Sequence, residues 1–208
     1  MEFREDRRKK ASSNQKSCGS CYAFSIAHSV EGQLFKKLNR IIELSPQQIV
    51  DCSVESGNHA CAGGSLRTTM KYLESSGGLM REVDYPYTAT HNKCSFDSDY
   101  AIVNITSWAI LPSKNEEVMK AILNEIGPIA VSINASLKTF QLYSEGIYDD
   151  KACSSLTVNH AMLLVFIDFS VLSSCFNLGV RWGMGGYMKV KRGVNMCGIS
   201  NYAAYAVV

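Results

Sequence analysis

The sequence predicts an α+β protein of two lobes with a cleft between them. Apolar residues recur at helical spacing through the first half of the chain and at strand spacing through the second. Helices gathered before strands favour segregated rather than alternating layers. A helical lobe is expected over about residues 14–107 and a β-rich lobe over 108–208 of a single domain, and the groove between such lobes is a natural ligand site.

The elements follow in order. Ala23, Phe24, Ala27, Val30, Leu34 and Leu38 repeat with helical period, predicting a helix over 21–38 with Ser20 as its cap. Ser45-Pro46-Gln47-Gln48 has the form of a capping box with proline at the first helical position, so a second helix starts there. A third is expected over about 65–75, where Met70, Tyr72 and Leu73 are apolar and Gly77-Gly78 ends it. A fourth should follow Ser113, with Glu116 at the box position. Strands are expected over 129–133, 161–167, 187–190 and 202–207. No internal repeat or low-complexity linker interrupts the pattern.

With 46% hydrophobic residues in 208, the chain can bury a sizeable core. Its net charge of +2 gives no electrostatic case for a nucleic-acid partner. The charged opening Arg4 to Lys10 reads as a solvated tail. No apolar run reaches the roughly 18–20 residues of a membrane helix, so no membrane partner is expected. Met1 is followed by charge, so neither a signal peptide nor a propeptide is expected within the chain, which would then be the mature part of a longer precursor or an incomplete copy of one. Eight cysteines in this length point to an oxidising compartment, or to a metal or redox role. Two sequons, Asn104-Ile105-Thr106 and Asn134-Ala135-Ser136, lean toward the secretory route.

Cys21 lies where a loop becomes a helix. Free N–H groups and partial positive charge at a helix start stabilise a thiolate, the nucleophilic form of cysteine. Cys18-Gly19-Ser20-Cys21 is also a C-x-x-C, and three readings stand level on spacing alone. One is a redox pair, although no βαβ pattern surrounds it. Another is half of a zinc site, although no second close pair of Cys or His completes it. The third has Cys18 bridged elsewhere and Cys21 free.

Cys18-Gly-Ser-Cys-Tyr22 resembles the active-site signature of the papain-like cysteine proteases, and Val158-Asn159-His160-Ala161 follows at roughly 140 residues, within the expected interval of roughly 130–150. Further stretches resemble family blocks in the same order: Leu44 to Cys52, Cys61-Ala62-Gly63-Gly64, Asp84-Tyr85-Pro86-Tyr87, Gly127 to Val131, and Gly193 to Ile199. The similarity is to the cathepsin L-like branch, and there is no room for the occluding insertion of the cathepsin B branch.

This resemblance implies the papain-like fold, with a helical left lobe, an antiparallel β-barrel-like right lobe and the active-site cleft between. It implies a cysteine endopeptidase in which Cys21 attacks the peptide carbonyl and His160 acts as base, then acid. The thiol of such pairs titrates at roughly 3–4. The Cys21 N–H and the Gln15 amide would form the oxyanion hole. Gly63 and Gly64 would floor the substrate groove, and Leu66, Ser132, Asn159 and Tyr202 would line the pocket for the second residue before the scissile bond. The bulky, neutral Tyr202 at its base predicts Val or Leu over Arg or Phe there. The implied disulfides are Cys18–Cys61, Cys52–Cys94 and Cys153–Cys197, leaving Cys175 over. His28 reads as a helix-face residue, and His59 and His91 as loop residues. No cofactor or metal is implied. Polypeptide substrates, cystatin-like or propeptide inhibitors, a monomeric state and a lysosomal or secreted location are.

The pattern breaks after His160. Family members carry an Asn that orients the histidine and a Trp that shields it. Counting back from Trp182-Gly183-Met184-Gly185-Gly186-Tyr187, these fall on Phe176 and Leu178, with Asn177 one position late. A one-residue slip in a strand turns a side chain to the other face, so Asn177 serves only if a bulge corrects the register. Asp168 is a weaker substitute. The insert before Asn177 and the Arg8-Lys9-Lys10 opening match nothing in the family. The alternative reading is a catalytically impaired homologue, or the product of aberrant splicing.

Overall fold

The computed structural model describes residues 14–175 and 179–208, the side chain of Cys175 aside. Helix α1 spans Cys21–Leu38, and Asn39 closes it in the left-handed conformation. Ser20 holds the cap position but its hydroxyl does not cap the helix; it is turned to Tyr87 instead. Helix α2 spans Pro46–Cys52, and only half of its expected capping box forms. Ser45 accepts from Gln48 N–H, whereas the Gln48 amide bonds Met80 N–H, Gly78 O and Tyr72. Helix α3, Leu66–Ser76, is capped by the Ser65 side chain and ends at Gly77, whose φ is 82°.

Strands β1 (Leu79–Met80) and β2 (Ala101–Val103) form a small antiparallel pair. Strand β3 is Ser107–Ile110, helix α4 Glu116–Glu125, strand β4 Ile129–Ile133, helix α5 Lys138–Gln141 and strand β5 Ile147–Tyr148. Asn115, not Ser113, caps α4 through Val118 N–H. Glu116 is turned away from the expected box: its carboxylate accepts Gly193 N–H and Asn195 N–H, at 2.6 and 3.0 Å. Two charge-assisted bonds to a turn outweigh one to a helix end.

Strand β6 is His160–Ile167, β7 Val171–Cys175, β8 Tyr187–Lys191 and β9 Ala203–Val207. With β3, β4 and β5 they form a seven-stranded sheet in the order β3-β9-β4-β6-β7-β8-β5, antiparallel except for the parallel pair β5–β8. Strand β7 lies within the segment for which the sequence alone offers no family counterpart. It nevertheless pairs on both edges, with Leu164↔Ser174 on one side and Ser174↔Met188 on the other.

Two hydrophobic clusters organise the molecule. The first gathers α1, α2 and α3, through residues such as Ile26, Val30, Ile49, Met70 and Leu73. The second fills the sheet side, through Met119, Val131, Met162, Leu164 and Met188. They meet where α1 lies against the sheet: Ala130, Ala161, Ala204 and Ala206 belong to the helical cluster, and these small side chains let the helix approach closely. Polar ties reinforce the seam: Ser29 donates to Pro128 O and Gln33 to Ala206 O. Three disulfides are present, Cys18–Cys61, Cys52–Cys94 and Cys153–Cys197.

Candidate active site

A cleft of about 600 Å³ opens between the N-terminus of α1 and the start of β6. Its lining includes Gln15, Cys21, Gly63, Gly64, Leu66, Ser132, Asn159, His160 and Tyr202. The chain therefore brings all the described residues of the sequence-derived site, apart from the bridged cysteines, to one groove. Asn177 lies outside the described residues.

Cys21 is the first residue of α1, half-buried, and its thiol is unbridged. The backbone N–H groups of Ala161, Tyr22 and Cys21 itself act to lower its pKa. Ala161 follows His160 in β6, and the helix start lies against the strand that carries the imidazole. The helix N–H groups stabilise the thiolate, as the sequence leads one to expect, but burial is the larger effect and pushes the thiol up instead. His160 pairs with Ile133 across the sheet, and desolvation lowers its pKa to about 4. Each shift favours the uncharged form of its group.

Along the cleft the chain passes tightly at Gly64. A side chain at Gly64 would put Cβ 2.5 Å from Asn58 Oδ1 and 2.8 Å from the Tyr22 ring. Gly63 has φ 116°, a conformation that favours glycine. Asn58 fixes this floor, accepting Ser65 N–H and donating to Ser53 and Thr69. On the opposite wall the Asn159 side chain is engaged with Ala135 N–H and Ser136 Oγ, so its part in the wall falls to its backbone. Ser132 N–H donates to Tyr202 O, joining two wall residues, and Tyr202 is itself 57% exposed.

Asp168 is not placed to orient His160. It stands beyond the far end of β6, eight residues and roughly 25 Å along an extended strand from His160. Its carboxylate accepts Ser170 N–H and Val171 N–H, which shapes the β6–β7 turn. Sequence reasoning missed Arg67, Ile110 and Val158, which also line the cleft. Val158 stands in the stretch that carries His160 but was given no role there, and no motif marks Arg67 or Ile110, which the packing of α3 and β3 brings to the cleft. Among the described residues, no group of three or more His, Cys, Asp or Glu side chains could hold a metal ion, and no helix is long and apolar enough to cross a membrane.

A family model described as papain family cysteine protease matches residues 1–207. The chain belongs to the papain family. Its similarity to mouse procathepsin L is 39% identity over 204 residues, covering 94% of this chain and 61% of that protein. Human cathepsin L2 is 37% identical over 202 residues, 92% of this papain-family chain and 60% of the relative. The chain thus spans about three-fifths of the curated relatives it matches. Among solved structures, digestive procathepsin L 3 of Tenebrio molitor larval midgut superposes with a TM-score of 0.88 at 33% identity, covering 96% of this chain and 66% of that one. The papain fold and a cysteine peptidase at family level follow from these likenesses.

Proposed function

We propose that this chain is a cysteine endopeptidase forming one peptidase domain, residues 1–208, with lobes at 14–107 and 108–208. The observation that carries the reading is that the unbridged Cys21, at the start of α1, lines one cleft with His160 and Gln15. An extended polypeptide would lie along Gly63 and Gly64, pairing strand-like with the main chain. Its second residue before the scissile bond would enter the pocket of Leu66, Ser132, Asn159 and Tyr202, with Val or Leu favoured over Arg or Phe.

Because burial favours uncharged partners, His160 removes the thiol proton as sulfur bonds to the carbonyl carbon. The carbonyl electrons move onto oxygen, where the Cys21 N–H and the Gln15 amide donate. Collapse expels the amine, which takes the proton back from His160. Water then attacks the thioester, giving its proton to His160, and the acid leaves as Cys21 regains a proton. Such an enzyme would work as a monomer on polypeptides in a lysosomal or secreted setting. Cystatin-like proteins or a propeptide would inhibit it. Turnover of a fluorogenic dipeptide at acidic pH, absent from Cys21→Ala, tests the reading; equal rates in both proteins would sink it.

A second reading, a homologue that binds peptides without turnover, draws on two observations. Burial disfavours both charges of the catalytic pair, and the family's orienting Asn is replaced by Phe176 in the sequence. Covalent labelling of Cys21 by a peptidyl epoxide, with no turnover of any dipeptide, would favour it.

A further inference from the structure

The two oxyanion donors of the proposed peptidase sit at opposite ends of the loop 15–20, and something must hold those ends in fixed relation. Main-chain bonds within the loop are few: Cys18 N–H to Gln15 O and Ser20 N–H to Cys18 O. Gly19 N–H donates to Cys61 O, beside the Cys18–Cys61 bridge, which anchors the middle of the loop and not its ends. Among the described residues, the one side chain bonded to both ends is Tyr87. Its hydroxyl lies 2.8 Å from Gln15 O and 2.5 Å from Ser20 Oγ.

Proton accounting orients this chain. A carbonyl can only accept, so the single Tyr87 hydroxyl proton goes to Gln15 O. Ser20 then donates to the Tyr87 oxygen at 2.5 Å in preference to Cys18 O, its more distant acceptor at 3.4 Å. The Ser20 hydroxyl is thereby turned from the start of α1, which it does not cap. Tyr87 is itself held at two further points. Its N–H donates to Glu82 at 2.8 Å, and its ring meets Phe24 edge-on at 4.7 Å.

We propose that Tyr87 is a positioning residue of the peptidase: through Gln15 O and Ser20 Oγ it sets the separation of the two oxyanion donors. This rests on the peptidase reading above. Tyr87 touches no reacting atom. It governs how well the side-chain amide of Gln15 and the main chain at Cys21 converge on a developing oxyanion.

The test compares Tyr87→Phe, which keeps the ring on Phe24, with wild type in two reactions of Cys21. A peptide aldehyde adds reversibly to the sulfur and generates an oxyanion; iodoacetamide alkylates the same sulfur without one. The expected result is aldehyde affinity about tenfold weaker and kcat lower by a similar factor, less than the roughly 100–1000-fold loss of a whole donor. KM and the alkylation rate should stay within about twofold, a split that general loosening of the fold would not produce. Ser20→Ala severs the same chain from its other end and should shift aldehyde affinity in the same direction, which keeps the test open should Tyr87→Phe fold poorly. The proposal alone is overturned if wild type binds the aldehyde and turns over while both variants match it, or if aldehyde binding and alkylation fall together. If wild type neither binds the aldehyde nor turns over, the peptidase reading fails and takes the proposal with it.

Discussion

Raising the pH from 6 to 10 should speed alkylation of Cys21 by a large factor. His160 titrates at about 4 and the Cys21 thiol lies above its ordinary value, both because of burial. At pH 6, two units above the His160 value, roughly one imidazole in a hundred carries a proton, and the raised thiol keeps its own, so the uncharged pair predominates. Iodoacetamide labelling, followed by mass spectrometry on the peptide containing Cys21, should run at pH 6 at a few per cent of its rate at pH 10. A rate at pH 6 above about one-third of the rate at pH 10 would show that the ion pair dominates and that desolvation has been overweighted.

Burial, with a smaller contribution from Glu43, raises the Glu82 carboxyl to about 7, above its unfolded value. The folded state thus binds the extra proton, and stability falls as pH climbs from about 4.5 through 7. Glu82→Gln should remove that slope: its melting temperature should exceed that of wild type at pH 8 and approach it near pH 4.5, the opposing slope from His160 cancelling between the two proteins. Gly64→Ala should cost about 1–3 kcal/mol in urea denaturation, because its Cβ meets Asn58 and Tyr22; an unchanged midpoint would mean the floor has slack. Replacing Cys52 and Cys94 together with alanine should cost about 2–4 kcal/mol while leaving the labelling rate of Cys21 unchanged. A changed labelling rate would couple that bridge to the cleft.

Local chemistry made some of this legible in advance. The periodicity of 21–38 matches α1 at both ends, and Gly77 stops α3 as its position suggests. Strand β4 stands out because its β-branched Ile129, Val131 and Ile133 alternate with the small Ala130 and Ser132. Strand β7 does not, because Val171 to Ser174 are all buried by pairing on both edges and show no alternation. Strands β1 and β5, of two residues each, carry too little pattern to read. Caps were misjudged where tertiary partners compete: Ser20 turns to Tyr87, Gln48 to β1, and Glu116 to the turn before the Met196–Gly198 segment. Motif and interval singled out Cys21 and His160, and the fold sets both in one cleft. The bond between Tyr87 and Gln15 spans 72 residues and no local rule announces it. The charge state of the pair was unreadable, since burial depends on how the lobes close over it.

The Cys18–Cys61 bridge begins three positions before a free sulfur, which poses a problem of self-preservation. An ionised Cys21 would be a standing threat to that bond, because thiolates attack disulfides and reshuffle them. Cys18 is 1% exposed, and its neighbour stays protonated at rest. The desolvation that holds the proton on Cys21 therefore also guards the loop against scrambling during storage. A mild monothiol reductant can keep Cys21 ready for reaction while the enclosed bridge survives.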